Sequence, residues 1–393
     1  MVKKPIGQIA FLRLHRMFSY SGSLMLQKTV RQMALLCGLC IVGATACGGS
    51  SASSSASTPS SAPPSYSQQA TYGVQTLQQW YVQSSGLYAA PSGWWNAANA
   101  MTVLANYSRV TASTQYLPAI ANTFTQAQTA HPNFLNLYDD DEGWWALAWI
   151  DAYDLTDNPA YLAMAETIFA DISTEWDTAT CGGGVWWKKP ADYKNAIANE
   201  LFLAVAASLA NRTTGTASAS YLAWAQKEWT WFKASGMINS QNLVNDGLTS
   251  TNPTACVNNG RTTWTYNQGV ILGGLVELYK ADQDPTLLPQ AESIANAAIA
   301  NLTVNGILVD PSVSGGDAPQ FKGVFVRNLM ALYVAAPNPQ FKTFVDANAN
   351  SIWTNDQGPT YQFGALWQGP FDSADATRQT SALDTLVAAA SMQ

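Results

Sequence analysis

Six segments of this chain are apolar on nearly every side, and they recur along most of its length. They are WWNAANAMTVLA from Trp94, GWWALAWIDAY from Gly143, AIANELFLAVAASLA from Ala196, GVILGGLVELY from Gly269, GVFVRNLMALYV from Gly323 and QTSALDTLVAAA from Gln379. Their apolar residues follow helical rather than alternating spacing, and a helix without a polar face has to be enclosed on every side. The chain is therefore expected to contain six buried helices.

A second kind of helix alternates with these segments and is amphipathic. The candidates cover residues 67–84, 111–128, 157–173, 219–233, 285–300 and 338–352. Three of them open with an Asx residue and a proline, a pair that suits the N-cap and the first helical position, at Asn158-Pro159, Asp284-Pro285 and Asn338-Pro339. Six enclosed helices alternating with six amphipathic ones predict an all-α (α/α)6 barrel, an inner ring wrapped by an outer ring.

The N-terminal region has the composition of an export signal. Its first 46 residues contain six Lys or Arg and no acid, and the apolar run at 33–46 is shorter than the roughly 20 residues that span a bilayer. Residues 1–46 are predicted to be a signal peptide. Cys47 before a Gly and Ser-rich tract resembles a bacterial lipoprotein signal and is expected to be lipidated, with ordinary cleavage after Ala46 as the alternative.

The remaining chain is expected to divide into a tether and one domain. Residues 47–70 are rich in Ser, Ala and Pro and predict an extended linker, followed by a catalytic domain at 71–393. Beyond residue 46 there are 13 basic against 26 acidic groups, a balance that disfavours nucleic acid and anionic membranes. A membrane is therefore expected to be contacted only through the lipid, by an exported protein that is surface-bound, periplasmic or secreted.

Two cysteines, Cys181 and Cys256, remain in the body of the exported chain. An oxidising compartment would let them pair if the fold brings them together. The sequence is compatible with a disulfide or with two buried thiols.

Polar and aromatic residues cluster where the inner helices begin. In such a barrel the inner helices run parallel, so their N-termini gather at one end. The clusters are Trp94-Trp95-Asn96, Asp139–Glu142, Tyr193-Lys194-Asn195, Tyr266-Asn267-Gln268, Gln320-Phe321-Lys322 and Arg378-Gln379-Thr380. Aromatic faces combined with amides and hydroxyls suit a sugar, which stacks on rings and needs donors and acceptors for its hydroxyls. This end is predicted to bind carbohydrate.

The acidic run in LYDDDEGWWALAWID, residues 137–151, would lie inside that carbohydrate site. Glycoside hydrolysis needs two carboxyls, which retaining enzymes hold about 5 to 5.5 Å apart. The helix N-terminus favours one ionised carboxyl, while burial and the adjacent anion favour a proton on the other. A solvated helix cap is the plainer interpretation, and a calcium site at Asp139–Glu142 is another, although the EF-hand spacing is absent.

Other chemistries find little support in the sequence. His131 is the one histidine beyond the signal region and is expected in a turn. The chain has no His/Cys metal cluster, no GxSxG elbow, no P-loop and no GxGxxG fingerprint. Neither a metal nor a cofactor is expected.

Residues 72–390 resemble glycoside hydrolase family 76, the bacterial and fungal α-1,6-mannanases and related cell-wall transglycosylases. The motif that carries the resemblance is an aspartate pair two residues before a tryptophan pair, DDEGWW from Asp140. WWNAAN, GGGVWWK, YKNAIANELF, TYNQGVILGGL and FKGVFVRNL support it in order. The resemblance implies an (α/α)6 fold and retaining endo-hydrolysis of α-1,6-linked mannan, with Asp140 as nucleophile and Asp141 as acid/base. Because three aspartates are consecutive, Asp139 and Asp140 are the alternative pair.

The candidate substrate-binding residues stand in or beside these motifs. They are Trp94, Trp95, Asn96, Trp144, Trp187, Asn195, Asn199, Glu200, Tyr266, Asn267, Gln268, Lys322 and Arg327. In each tryptophan pair one ring is expected to pack and the other to face the cleft. Glu200 is expected to bind sugar or to partner the acid/base, since a carboxyl in an apolar run is costly unless paired. Lys322 and Arg327 suit substrate contact or a buried ion pair.

The sequence therefore predicts a monomeric hydrolase whose partner is an α-mannan polysaccharide. The alternatives are an α-mannan transglycosylase and a non-catalytic, glycan-binding surface lipoprotein.

Overall fold

The computed structural model describes residues 63–249 and 256–393, and twelve α-helices dominate this part of the chain. In chain order they are α1 (Tyr66–Leu77), α2 (Trp94–Thr111), α3 (Leu117–Gln126), α4 (Asp139–Thr156), α5 (Pro159–Thr174), α6 (Ala196–Arg212), α7 (Gly215–Ser235), α8 (Thr265–Asp282), α9 (Leu287–Asn301), α10 (Phe321–Ala335), α11 (Pro339–Asn355) and α12 (Ala376–Ser391). The predicted signal peptide, the lipidation at Cys47 and most of the tether lie outside the described residues.

The even-numbered helices form a closed inner ring. Each contacts the next one along the chain, and α12 contacts α2. The odd-numbered helices pack outside, for example α1 on α12, α5 on α4, α7 on α6 and α9 on α8. The predicted (α/α)6 barrel is confirmed.

Burial explains why the inner helices lack a polar face. On α6, every residue from Ala196 to Ala210 is buried. Where α8 meets α10, a Cβ on Gly269 would lie 2.6 Å from the Cα of Phe325, so only glycine permits this approach. Small and apolar residues therefore let the inner helices touch through their backbones.

Several inner helices begin earlier than their apolar runs. α4 starts at Asp139 rather than Gly143, α8 at Thr265 rather than Gly269, and α12 at Ala376 rather than Gln379. The first turn of a helix has free N–H groups, and polar side chains suit that position. In these three helices the predicted polar cluster is therefore part of the helix itself, whereas Tyr193-Lys194-Asn195 directly precedes α6.

The outer helices differ more from the prediction. α1 begins at Tyr66, inside the range expected to be linker, and ends at Leu77 instead of residue 84. Asn158 and Asn338 cap α5 and α11 with proline in the first turn, as predicted. α9 instead begins at Leu287, because the Asp284 carboxylate caps the preceding turn by accepting from the Thr286 N–H at 2.8 Å.

Three antiparallel hairpins of two-residue strands join the helices in the described residues. They pair β1 (Tyr81–Val82) with β2 (Leu87–Tyr88), β3 (Leu248–Thr249) with β4 (Val257–Asn258), and β5 (Thr303–Val304) with β6 (Ile307–Leu308). Cys181 and Cys256 form a disulfide with a Cα–Cα distance of 5.2 Å, which decides between the two states left open by the sequence. Among the helices of residues 63–249 and 256–393, none is both long and apolar enough to cross a membrane.

Candidate active site

A cleft of about 330 Å³ opens at the N-terminal ends of the inner helices. Its lining residues are Trp95, Asp140, Trp144, Trp187, Tyr193, Asn195, Asp246, Arg261, Tyr266, Asp317 and Phe321. Trp95, Asp140 and Tyr266 are each the second residue of an inner helix. The parallel inner ring therefore gathers these first-turn side chains around one opening.

The carboxylate of Asp140 lies in the wall of the cleft and accepts two hydrogen bonds. Its Oδ1 accepts from the backbone N–H of Asp141 at 3.0 Å, and its Oδ2 accepts from the indole Nε1–H of Trp187 at 3.0 Å. The Asp141 Oδ2 accepts from the side-chain amide of Asn136 at 2.6 Å. Asn136 is turned this way because its Oδ1 accepts from the Tyr138 N–H at 2.7 Å. Each carboxylate thus has its own donors.

Burial raises the pKa of both carboxyls. The pKa of Asp140 lies well above its ordinary value because of burial and, next, the adjacent Asp141; the Trp187 hydrogen bond opposes this rise. Burial raises the pKa of Asp141 to about 6, with the Asn136 hydrogen bond acting against the rise. Two neighbouring carboxyls of this kind can share one proton near neutral pH, leaving one acid and one anion.

Asp139 and Glu142 point away from this pair and face Lys189. The Lys189 Nζ lies 3.1 Å from Asp139 Oδ1 and 2.9 Å from Glu142 Oε1. Burial raises the pKa of Asp139 to about 7 and that of Glu142 to about 8, and the Lys189 charge opposes both shifts. The acidic run is thus divided between a buried ion-pair cluster and the cleft.

The positions of these four acids test two of the interpretations above, a calcium site at Asp139–Glu142 and a catalytic pair formed by Asp139 and Asp140. The four acids do not converge on one point, and the described residues contain no group of three or more His, Cys, Asp or Glu side chains placed to hold a metal. Asp140 lines the cleft, whereas neither Asp139 nor Asp141 does. Asp139 pairs with Lys189, and Asp141 accepts a hydrogen bond from Asn136.

The tryptophan pairs contribute one ring each to the cleft. Trp95 and Trp144 stack there with centroids 5.4 Å apart, and Trp187 is the third ring. Trp94, a substrate-binding candidate, instead packs against His131 at 4.3 Å and Trp145 at 4.7 Å. Adjacent residues on a helix point about 100° apart, so only one ring of each helical pair, Trp94-Trp95 and Trp144-Trp145, can face the opening.

Three amide candidates hold loops rather than line the cleft. Asn96 Oδ1 accepts from the Gly93 N–H at 2.9 Å. Asn199 binds both the N–H and the C=O of Val185, at 2.8 and 3.1 Å, and Gln268 does the same for Val244, at 2.7 and 2.8 Å. Buried loop backbone needs such partners, and these amides provide them.

Glu200 and Asn267 lie buried outside the cleft lining. Both side chains are fully enclosed and have no hydrogen-bond partner among the described residues. Burial, followed by the charge of Asp246, raises the pKa of Glu200 well above its ordinary value. Glu200 is thus not a hydrogen-bonded partner of Asp141.

The two basic candidates are also used internally. The Lys322 ammonium donates to the Ala365 carbonyl at 2.6 Å and lies 4.4 Å from the Trp367 ring, and burial lowers its pKa to about 8. The Arg327 guanidinium lies 3.0 Å from the Asp384 carboxylate, so of its two predicted roles the structure shows the ion pair. Neither lines the cleft.

The sequence interpretation missed several cleft residues, among them Tyr193, Asp246, Arg261, Asp317 and Phe321. The Tyr193 hydroxyl donates to the Asp246 carboxylate at 2.8 Å, and the Asp317 carboxylate accepts from the Trp95 indole at 2.7 Å. The Phe321 ring stacks on Tyr266 with centroids 4.0 Å apart. Tyr193 and Phe321 stand within the polar clusters already named, which is the signal that could have identified them.

The chain is similar to known glycosidases in sequence and structure. Mannan endo-1,6-alpha-mannosidase DCW1 of Candida albicans is 29 % identical over 65 % of this chain and 61 % of that protein's length, which is less than two thirds. DFG5 of the same organism, another mannan endo-1,6-alpha-mannosidase, is 27 % identical over 81 % of this chain and 78 % of its own.

Solved structures share the fold. An inactive variant of the alpha-1,6-mannanase GH76A of Salegentibacter sp. HEL1_6, with two consecutive aspartates changed to asparagine and in complex with alpha-1,6-mannotriose, gives a TM-score of 0.77 at 24 % identity, covering 84 % of this chain and all of that chain. The Lin0763 protein of Listeria innocua gives 0.75 at 25 % identity, covering 84 % and 98 %. The model of glycosyl hydrolase family 76 matches residues 64–393, the whole barrel with its cleft, and the chain belongs to that family.

Proposed function

We propose that the protein is an exported endo-α-1,6-mannanase that cleaves mannan with retention of configuration. The observation that carries this proposal is the pair of adjacent carboxyls, Asp140 and Asp141, with Asp140 in the wall of a cleft lined by aromatic rings. The curated relatives named as mannan endo-1,6-alpha-mannosidases support the substrate. A similar mannanase that is inactive with two consecutive aspartates changed supports the residue type.

The hydrogen bonds suggest which carboxyl is the nucleophile. Donors favour the ionised form of a carboxyl. Among the described residues, Asp140 accepts from Asp141 N–H and Trp187 Nε1–H, while Asp141 accepts from Asn136. Burial raises the pKa of Asp140 further than that of Asp141, so these donors counter burial at the carboxyl that has to ionise. Asp140 is assigned as nucleophile and Asp141 as acid/base.

The reaction then follows two steps. The Asp140 carboxylate attacks the anomeric carbon while the Asp141 proton passes to the departing glycosidic oxygen. Water next attacks the anomeric carbon of the glycosyl ester and gives its proton to Asp141, which releases Asp140. Two inversions at one carbon give net retention.

The remaining lining residues suit the sugar. The rings of Trp95 and Trp187 offer faces for pyranose units, and the buried Trp144 ring stacks behind Trp95. The carboxylate of Asp246 supplies acceptors for the sugar's hydroxyl groups, and the side-chain amide of Asn195 supplies donors and an acceptor. The curated relatives, which are named as endo-acting mannosidases, support endo action.

Export and attachment rest on the N-terminal sequence. The signal peptide at 1–46 and the lipidated Cys47 stay predictions, as does the monomeric state. The disulfide between Cys181 and Cys256 supports a location in an oxidising compartment, where such bonds persist.

Time-resolved product analysis on linear α-1,6-mannan tests the function. We expect mixed oligosaccharides early in the reaction, with newly formed ends appearing first as the α-anomer in proton NMR spectra. Release of mannose alone, or a β-anomer at first, would contradict endo action or retention. Products longer than the starting chains would indicate transglycosylation, and binding without cleavage would indicate a capture protein.

The Trp187→Phe variant should change the pH dependence of catalysis. The indole N–H stabilises the Asp140 anion, so its removal raises the pKa of Asp140 in the free enzyme. Because the first step needs this group ionised, the acid limb of the kcat/KM profile should move to higher pH. We expect kcat/KM to fall about tenfold on that limb, the scale of a hydrogen bond to a charged group.

Trp186→Phe is the matched control for that experiment. Its ring lies against the Lys194 ammonium, 4.8 Å from the centroid, and does not line the cleft. Its acid limb should coincide with that of the wild type. An unmoved acid limb in Trp187→Phe would show that the indole does not tune Asp140.

A further inference from the structure

An exposed aromatic side chain, Tyr138, stands beside the cleft without being enclosed by it. It immediately precedes α4, and 38 % of its surface is exposed. A single exposed tyrosine is ordinary on a protein surface and needs no function. What distinguishes Tyr138 is its continuity with the residues that surround the reacting carboxylate.

That continuity runs through Trp187. The Trp187 indole nitrogen lies 3.0 Å from the Asp140 carboxylate, and the Trp187 ring centroid lies 5.3 Å from that of Tyr138. The two rings are tilted by 57°, so they do not cover each other face to face. The Trp187 ring lines the cleft and contacts the exposed Tyr138 ring, so an aromatic surface extends from the cleft outward to Tyr138.

The backbone that carries this surface is held in place. Tyr138 and Lys188 form an antiparallel bridge, in which the Asp139 N–H donates to the Trp187 carbonyl at 2.9 Å and the Lys189 N–H to the Leu137 carbonyl at 2.8 Å. Binding to a preformed surface loses less conformational entropy than binding to a mobile one.

Polar groups stand at the margin of the same surface. The Lys188 ammonium lies 5.3 Å from the Trp187 ring centroid and pairs with Asp192 at 2.9 Å. Rings for stacking combined with a few donors and acceptors are the composition of a sugar site.

We propose that Tyr138, together with Trp187 and Lys188, forms a distal subsite for a pyranose unit of the polysaccharide chain beyond the units held inside the cleft. This proposal rests on the proposed function, because the occupant is the next part of the same α-1,6-linked mannan. The subsite gives long substrates additional binding energy, and binding energy from remote units increases kcat/KM.

The test is the dependence of kcat/KM on substrate length. Full-length wild type and Tyr138→Ala are compared on α-1,6-linked mannooligosaccharides of increasing length and on the polymer. We expect kcat/KM of Tyr138→Ala to be about tenfold lower on the polymer, with a loss that diminishes as the substrate shortens. Tyr138→Phe should restore most of the difference, since the ring face provides the contact.

Tyr361→Ala is the matched control. Tyr361 is 40 % exposed, stacks on Tyr72 at 4.5 Å and does not line the cleft, so its variant should retain the length dependence of the wild type. A loss in Tyr138→Ala that is the same at every length, or no loss, would overturn the subsite. Failure of the wild type to cleave any α-1,6-mannan would instead contradict the proposed function, and calorimetric binding of the same oligosaccharides would then show whether Tyr138 holds sugar.

Discussion

Asp140→Asn is expected to lower kcat on α-1,6-mannan by at least about 10⁴-fold while substrate binding persists. An amide has the shape of the carboxylate but cannot form the glycosyl ester, so both chemical steps are lost. The change should leave the fold intact, since Asp140 makes its contacts through Trp187 and Asp141 at the edge of the cleft. Initial rates measure the first effect, and calorimetry with a mannooligosaccharide measures the second.

Rescue by azide distinguishes the two roles. In Asp140→Ala, azide can take the place of the nucleophile and should yield a β-mannosyl azide, the product of a single inversion. In Asp141→Ala, an aryl mannooligosaccharide whose phenolate leaves without a proton still forms the glycosyl ester of Asp140, and azide attacks that ester and should yield the α-mannosyl azide. The opposite assignment of products would exchange the roles of Asp140 and Asp141.

Asp139→Asn separates the favoured pair from its alternative. Asp139 faces Lys189 inside the protein, so its variant should lose stability more than catalytic rate. A decrease in kcat as large as that of Asp140→Asn would favour Asp139 and Asp140 as the pair.

The architecture could be predicted because burial controls the sequence of the inner helices. Because α6 is buried over fifteen consecutive residues, its sequence lacks the polar face that a surface helix has. The ends of the helices were less predictable, because a polar first turn lacks the apolar periodicity that identifies the rest of a helix. Asp139 of α4 lies inside the helix for that reason, and Asp284 caps a turn rather than α9.

The sequence predicted at which end of the barrel the candidate cleft lies, but not which individual residues line it. Trp95, Asp140 and Tyr266 lie in the cleft as residues of first turns, where they were expected. Trp94 and Gln268 belong to the same clusters yet point elsewhere, because one residue along a helix changes direction by about 100°.

Loop residues were beyond this kind of prediction. Asp246, Arg261 and Asp317 come from connections between helices, where no periodicity relates a residue to the barrel axis. Their positions depend on how each connection folds, and hence on contacts distant in the sequence, such as the Tyr193 hydroxyl on Asp246. Only the tertiary structure reveals them.

Removing the disulfide, by changing Cys181 and Cys256 together to serine, is expected to lower the free energy of unfolding by about 4 kcal/mol. The bridge spans 75 residues, and closing a loop of that length restricts the unfolded chain by this amount. It joins the connection that carries Trp187 to the one that carries Asp246 and Arg261, and all three residues line the cleft.

Catalysis should suffer much less than stability in the double variant, because the loop around Cys181 has a second anchor. The buried Lys194 ammonium donates to the carbonyl oxygens of Asp177, Thr180 and Gly183 at 2.6 to 2.7 Å, contacts that do not need the bridge. Urea denaturation with and without a thiol reductant measures the stability. The wild type in reductant should approach the double variant, which should itself be insensitive to the reductant. A change below about 1 kcal/mol would show that the anchored loops, rather than the covalent bond, already restrict the chain.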